Sequence, residues 1–176
     1  MRKFIGMAMI TSLIACSNSN QNSDNHSETD STHTASEAIK LEDQSSEHIY
    51  ASYINLKNDL VKSDHDAAKK SAASLLNNLK AKAGCESTAL IAEKIASSKT
   101  IADQRKEFTI LSADVIAMFK HSKIESGTIY VQHCPMANNG DGGDWLSSKK
   151  NIENPYYGDE MMECGAVVEE IKQTAL

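Results

Sequence analysis

The sequence predicts a mainly α protein. The expected architecture is an up-down bundle of about four helices, then a short extended segment, then an irregular Cys/Met-rich carboxyl-terminal region ending in a short helix. Three observations predict it. Apolar residues recur at spacings of three and four from Ile49 to Met118, the period of helices with one buried face. That stretch is rich in Ala, Lys, Ser and Leu, and both prolines lie beyond it. From Tyr130 to Gly165 the chemistry changes: both prolines, the only tryptophan, two of the four cysteines and three of the seven methionines fall there.

The amino end is expected to lie outside the fold. Arg2 and Lys3 precede an apolar run from Phe4 to Ala15, and Cys16 follows. A basic start and a short apolar core mark an export signal, too short to span a bilayer as a stable helix. Leu13-Ile14-Ala15-Cys16 resembles the lipobox of bacterial lipoproteins. That resemblance implies a signal peptide over 1–16, a lipid on Cys16 and anchoring in a membrane through it. A plain secretory signal with an incidental cysteine is the alternative. The expected location is the cell envelope, lipid-anchored and either periplasm-facing or at the outer membrane; Ser17, not Asp, follows the cysteine.

Residues 17–46 read as a disordered polar tether. The segment is Ser/Asn/Asp/Thr/His-rich, and Ile39 and Leu41 are its only large apolar residues. It cannot bury enough surface to offset the entropy of ordering. Residues 47–176 then form one helical domain, long enough for one core. The net charge of the whole chain is −6, a mild acidity that argues against nucleic acid as a partner.

The first helix is expected to be capped by Ser45 or Ser46. It carries Ile49, Tyr53, Leu56 and Leu60, widened by Tyr50, Ile54 and Val61. Ser63-Asp64 breaks and recaps the chain, because a short polar side chain accepts from the free amides of a helix start. The second helix buries Ala68, Ala72, Leu75, Leu76 and Leu79, and Gly84 is a natural left-handed stop. A third runs from Glu86 to about Ser97 and is expected to bury Leu90, Ile91 and Ile95. Thr100 caps a fourth, whose seam is Ile101, Phe108, Leu111, Val115 and Met118. Met118 reads as core filling and His65 as a solvated first-turn residue. Cys85 reads as a semi-buried thiol with nothing nearby to activate it.

Gly127 ends the helical pattern, and Thr128–Gln132 is β-prone. If the segment is extended, Tyr130, Gln132 and Cys134 face one side, and Ile129, Val131 and His133 the other. Asn138–Asp144 is turn chemistry, and Trp145 and Leu146 return to the core. Ser147 is expected to cap one helical turn. Asn154-Pro155 starts another turn, which Gly158 ends. Asp159 is expected to cap a last helix through Met161, Cys164, Val167, Val168 and Ile171.

Two sulfur pairs stand out in this region. Cys134 and Met136 are two apart on an extended segment and share a side. Met161 and Cys164 are three apart and share a face of the expected helix, with Met162 beside them. If the two segments meet, two thiols and two thioethers converge, a set that selects Cu(I) over harder divalent ions. His133 joins only if the strand breaks at Pro135. Cys134 and Cys164 can equally form a disulfide closing a loop of about 30 residues, stabilising by roughly 3 kcal/mol. Free thiols are the third reading. With Cys16 set aside three cysteines remain, so one is left unpaired in any intramolecular disulfide scheme.

An ordered set of residues carries a family resemblance. It comprises Arg105, Phe108, Leu111-Ser112, Tyr130, Cys134-Pro-Met-Ala137, Trp145-Leu-Ser147, Ile152, Asn154-Pro-Tyr-Tyr-Gly158 and Met162-x-Cys-Gly165. Together they resemble the family filed as domain of unknown function 3347. Its members are small exported or lipoprotein helical domains, also found attached to periplasmic adaptor subunits of heavy-metal efflux pumps. The resemblance therefore implies copper or silver handling and an efflux adaptor as partner. Cys134-Pro-Met136 also resembles the Cys-Pro-Met core of short heavy-metal-binding modules, although Ala137 stands where those have His.

Two functions follow as expectations. The first is an envelope lipoprotein binding Cu(I) or Ag(I) through Cys134 and Cys164, with Met136, Met161, Met162 and His133 as further candidate ligands. The second is a non-catalytic domain with a structural Cys134–Cys164 disulfide, docking on an adaptor or other envelope partner through Trp145, Tyr156 and Tyr157. An enzyme is not expected. The sequence has no GxSxG, HExxH, P-loop or GxGxxG, and His133 should point away from Cys134.

Overall fold

The structure, a computed structural model, describes residues 39–173. The expected signal, Cys16 with its lipid, and the tether up to residue 38 lie outside the described residues. Four helices make up most of the described chain: α1 (Gln44–Val61), α2 (His65–Lys80), α3 (Glu86–Ser97) and α4 (Ile101–Lys120). Each packs on the next along the chain. The protein is mainly α, but it also holds two small antiparallel sheets. One pairs β1 (Lys40–Leu41) with β2 (Ile124–Ser126). The other has the order β4-β3-β5, from β3 (Thr128–Cys134), β4 (Gly143–Ser147) and β5 (Ala166–Lys172). Among the described residues no helix is long and apolar enough to cross a membrane.

Local chemistry places the helix ends. The Asp64 carboxylate accepts from the Ala67 amide at 3.0 Å, and Ser63 before it turns the chain at φ 55°. Thr100 accepts from the Asp103 amide at 3.1 Å. Gly84, at φ +84°, closes the turn after α2. The first cap differs from expectation. Asp43, not Ser45 or Ser46, accepts from the Ser46 amide at 2.9 Å. A carboxylate does this better than a hydroxyl, because its charge also suits the positive end of the helix. The fold therefore begins inside the segment read as tether, and Leu41 is buried against the core.

The seams of α1, α2 and α4 supply most of the core, with Ile49, Tyr53, Leu56, Leu60, Leu75, Leu79, Phe108, Leu111, Val115 and Phe119 fully buried. Leu76, Ile91, Ile101 and Met118 are only partly buried. In α3 Ile95 is buried as expected and Ile91 partly so, but Leu90 is not. Thr88, Ala89, Ala92 and Ile95 face inward, and Leu90 is 59% exposed. The small face lets α3 approach its neighbours closely, and that turns Leu90 outward. His65 is less solvated than expected, since its Nε2 lies 3.1 Å from the Ser98 carbonyl oxygen.

The last element is a strand, not a helix. A single 3-10 turn at Gly158–Glu160 is followed by β5, which pairs with β3 from Thr128↔Lys172 to His133↔Ala166. Gly165, at φ +146°, interrupts any helix through Cys164. The β-branched Val167, Val168 and Ile171 suit a ladder with a distant partner, and that pairing overrides their helix-like spacing. Ser147, expected to cap a helical turn, closes β4 and accepts from the Lys149 amide at 3.1 Å.

Aromatic rings join helices to sheet. Tyr53 stacks on Phe108 at 5.5 Å, Phe108 meets Tyr156 at 5.8 Å, and Tyr156 meets Trp145 edge-on at 6.0 Å. The Tyr53 hydroxyl accepts from the Leu146 amide at 3.1 Å. Trp145 and Tyr156 are buried at the joint between helices and sheet, and of the three aromatic residues expected to form a docking surface only Tyr157 is partly exposed.

Candidate dithiol site

Cys134 ends β3 and is fully buried. Its position follows from strand alternation. In the ladder with β4, Gln132 sits opposite Trp145 and Cys134 opposite Gly143, while His133 sits opposite Asp144. Opposed residues share a face, so Gln132 and Cys134 point one way and His133 the other. A Cβ on Gly143 would lie 2.7 Å from the Tyr156 ring. Only glycine lets that ring pack beside Cys134's partner strand.

Cys164 comes from the segment between β4 and β5, which has little regular structure and is tied down by side chains. The Gln132 amide donates to the carbonyls of Lys149, Lys150 and Asn151 at 3.0–3.2 Å. Lys57 of α1 pairs with Glu153 at 3.1 Å. Arg105 of α4 donates to the Pro155 carbonyl at 2.9 Å. Asn154, fully buried, donates from its side chain to the Cys164 carbonyl at 2.9 Å and from its backbone to the Met162 carbonyl at 2.9 Å. At Gly165 a Cβ would lie 2.8 Å from the His133 carbonyl oxygen and 3.0 Å from the Trp145 ring. Glycine there allows the segment to close on β3.

The result is a pair of free thiols whose Sγ atoms are 3.0 Å apart. Cys134 is sealed in and Cys164 is half-buried. Burial pushes the Cys134 thiol up. Hydrogen bonds from the Cys164 thiol, the Met136 amide, the Asn154 side chain and the Ala137 amide outweigh this and hold it below the usual thiol range. Cys164 moves the other way: its hydrogen bond to Cys134, then burial and the neighbouring charge, raise it. Within the pair, Cys134 therefore gives up its proton more readily than Cys164.

The other expected ligands divide. Met136 contributes its amide to the thiols, but its side chain is 54% exposed and its carbonyl accepts from the Tyr157 hydroxyl. Met161 and Met162 are half-buried in the turn that delivers Cys164, with the Cys164 amide donating to the Met161 carbonyl at 3.1 Å. They do not share a helical face with Cys164, because no helix forms there. His133 is not part of the site. The strand continues unbroken to Cys134, and the His133 Nδ1 lies 2.7 Å from Asp144 Oδ1 on the opposite face. Cys85 sits at the start of α3, nearly buried, with burial raising its thiol.

Among the described residues no group of three or more His, Cys, Asp and Glu is placed to hold a metal ion. The donor chemistry at this site is therefore that of two thiols, with thioethers on the same two segments. It fits a soft monovalent ion and not a hard divalent one. Sequence reasoning missed Asn154, Lys57 and Gln132 as organisers of the site. The one available signal was Asn154 before Pro155, an arrangement that favours a side-chain-capped turn, here closed by the Tyr156 amide at 2.8 Å.

No curated protein and no solved structure matches the chain. A family model does, over residues 49–127, from the first turns of α1 through β2. The dithiol site lies beyond the matched residues. Through its helical segment, residues 49–127, the chain is similar to the family described as Protein of unknown function (DUF3347).

Proposed function

We propose that this chain is a lipid-anchored envelope protein, held through Cys16, whose Cys134–Cys164 dithiol binds Cu(I) or Ag(I) in metal homeostasis or efflux. The observation that carries the reading is the 3.0 Å approach of two free thiols from segments 30 residues apart. The N–H donors around Cys134 support it, because they favour the thiolate that a soft ion requires. The thioethers of Met136, Met161 and Met162 are auxiliary donors. The four helices, read as an up-down bundle, are the scaffold that ties down the Cys164 segment. The role is binding, not catalysis, and the partner is an efflux adaptor.

The test is a Cu(I) titration of the reduced chain against a chromophoric chelator. One equivalent bound by the wild type and none by the Cys134→Ser, Cys164→Ser double variant supports the reading. Equal affinity in both removes it. The anchor is tested separately, by labelled fatty acid entering the wild type but not Cys16→Ser.

The same distance supports a second reading: a structural disulfide in a non-catalytic domain that docks on an adaptor. Finding the pair oxidised and resistant to strong reductant in metal-free protein would favour it.

A further inference from the structure

We propose that Cys134 and Cys164 exchange reversibly between dithiol and disulfide by reaction with a small-molecule disulfide, Cys164 being the sulfur that meets the reagent and Cys134 the one that completes the ring. This deepens the dithiol reading by naming what regulates the site. It does not depend on a metal being bound.

Three observations carry it. The sulfurs stand 3.0 Å apart, so bond formation needs an approach of only about 1 Å. Access is asymmetric: Cys134 is fully buried and Cys164 is half-buried, so an external reagent reaches Cys164 first. Mobility is asymmetric in the same sense. Cys134 is fixed in a strand paired on both sides, whereas Cys164 lies in a turn held by the Asn154 side chain and the Met161 carbonyl. The third described thiol, Cys85, is buried at the start of α3 and offers no competing partner.

The steps balance. Cys164 gives up its proton to solvent and its Sγ attacks one sulfur of the external disulfide, whose S–S bond breaks and releases one thiolate. The Cys134 thiolate then attacks Cys164 Sγ, forming the internal bond and expelling the second thiolate. Two protein thiols are oxidised, one external disulfide is reduced to two thiols, and the two cysteine protons pass through solvent to the leaving thiolates. The disulfide form has no thiolate left for a soft ion, so oxidation closes the proposed copper site and reduction reopens it.

The metal-free full chain, equilibrated with oxidised and reduced glutathione in varied ratio, tests this after alkylation and mass measurement. Two thiols are expected to vanish together at an intermediate ratio and return under excess reduced glutathione. Cys134→Ser is expected to trap glutathione on Cys164 roughly tenfold more than Cys164→Ser traps it on Cys134, since access governs the first attack. Both thiols persisting at every ratio, a disulfide that never reduces, or preferential trapping on Cys134 would overturn the proposal. The wild-type titration decides even if a variant misfolds. A Cu(I) titration of the reduced chain keeps the two readings apart: failure to bind with exchange intact removes only the metal.

Discussion

Lys57 lies within the apolar stripe of α1, 2% exposed, and its Nζ meets Glu153 Oε2 at 3.1 Å. A charge from α1 thereby fixes the segment that delivers Cys164 to Cys134. Burial pulls the Lys57 ammonium down and Glu153 opposes it. Removing one partner of such a pair leaves the other without compensation, whereas replacing both partners by apolar groups of similar volume is often neutral. Glu153→Gln is therefore expected to destabilise the fold by about 1–3 kcal/mol, the lower end reflecting the partial exposure of Glu153. The Lys57→Met, Glu153→Leu double variant, which removes the whole pair, should stay within about 1 kcal/mol of wild type. Urea denaturation measures both, and the reverse ranking would contradict this account of the pair.

The same pair sets a pH dependence. Burial would raise the Glu153 carboxyl, but Lys57 and Lys149 outweigh it and hold it below its ordinary value. A depressed carboxylate stabilises fully above its unfolded value and loses that stabilisation as pH falls through the folded one. Lys57, also depressed, gains in the other direction: the folded state releases its proton first, so this group favours folding increasingly as pH rises towards 10.5. Between about pH 5 and pH 3 the wild type is expected to lose more stability than Glu153→Gln. Parallel curves for the two proteins would assign acid sensitivity to other carboxylates.

Arg105 is the second tie. Its Nε donates to the Pro155 carbonyl at 2.9 Å, and its Nη2 donates to the Leu60 carbonyl at 3.1 Å and to Ser63 Oγ at 2.9 Å. A lysine cannot span this fork, because a single ammonium replaces a planar set of donors. Arg105→Lys is expected to cost about 1–2 kcal/mol and Arg105→Ala about 2–3 kcal/mol. Limited proteolysis should then cut faster between residues 148 and 160. A variant with unchanged cleavage would mean that Lys57 and Gln132 hold the segment alone.

The helix starts at Asp64 and Thr100 and the stop at Gly84 were legible because caps are local: the side chain and the amides it serves lie within one turn. The meeting of Cys134 with Cys164 was legible as a convergence of unusual residues, and strand alternation correctly turned His133 away. The route was not legible. Met161, Cys164, Val168 and Ile171 have helical spacing, and only pairing with β3, some 40 residues earlier, makes them turn and strand. Leu90 failed for a related reason, since neighbouring helices choose whether α3 presents its leucine or its alanines. Lys57 and Asn154 are buried polar residues whose burial depends on partners far along the chain, so no local pattern announces them.

Gly165 joins fold to chemistry, and its substitution separates the two. At φ +146° a side chain is strained whatever the space around it, and here the space is also taken by the His133 carbonyl and the Trp145 ring. Backbone strain of this kind costs of order 1–3 kcal/mol. Gly165→Ala is expected to lower stability by about that amount and, because residue 164 must move with it, to draw the two sulfurs apart. The four helices, joined to the rest of the fold through Tyr53, Phe108 and Tyr156, should retain their helical circular dichroism. The variant should then be folded but slower than wild type to form the Cys134–Cys164 disulfide, by roughly tenfold if the sulfurs separate by an ångström or more. Unchanged oxidation in a folded Gly165→Ala chain would show that the turn carrying Cys164 adjusts independently of Gly165, and that the close approach to β3 is not what positions the thiol.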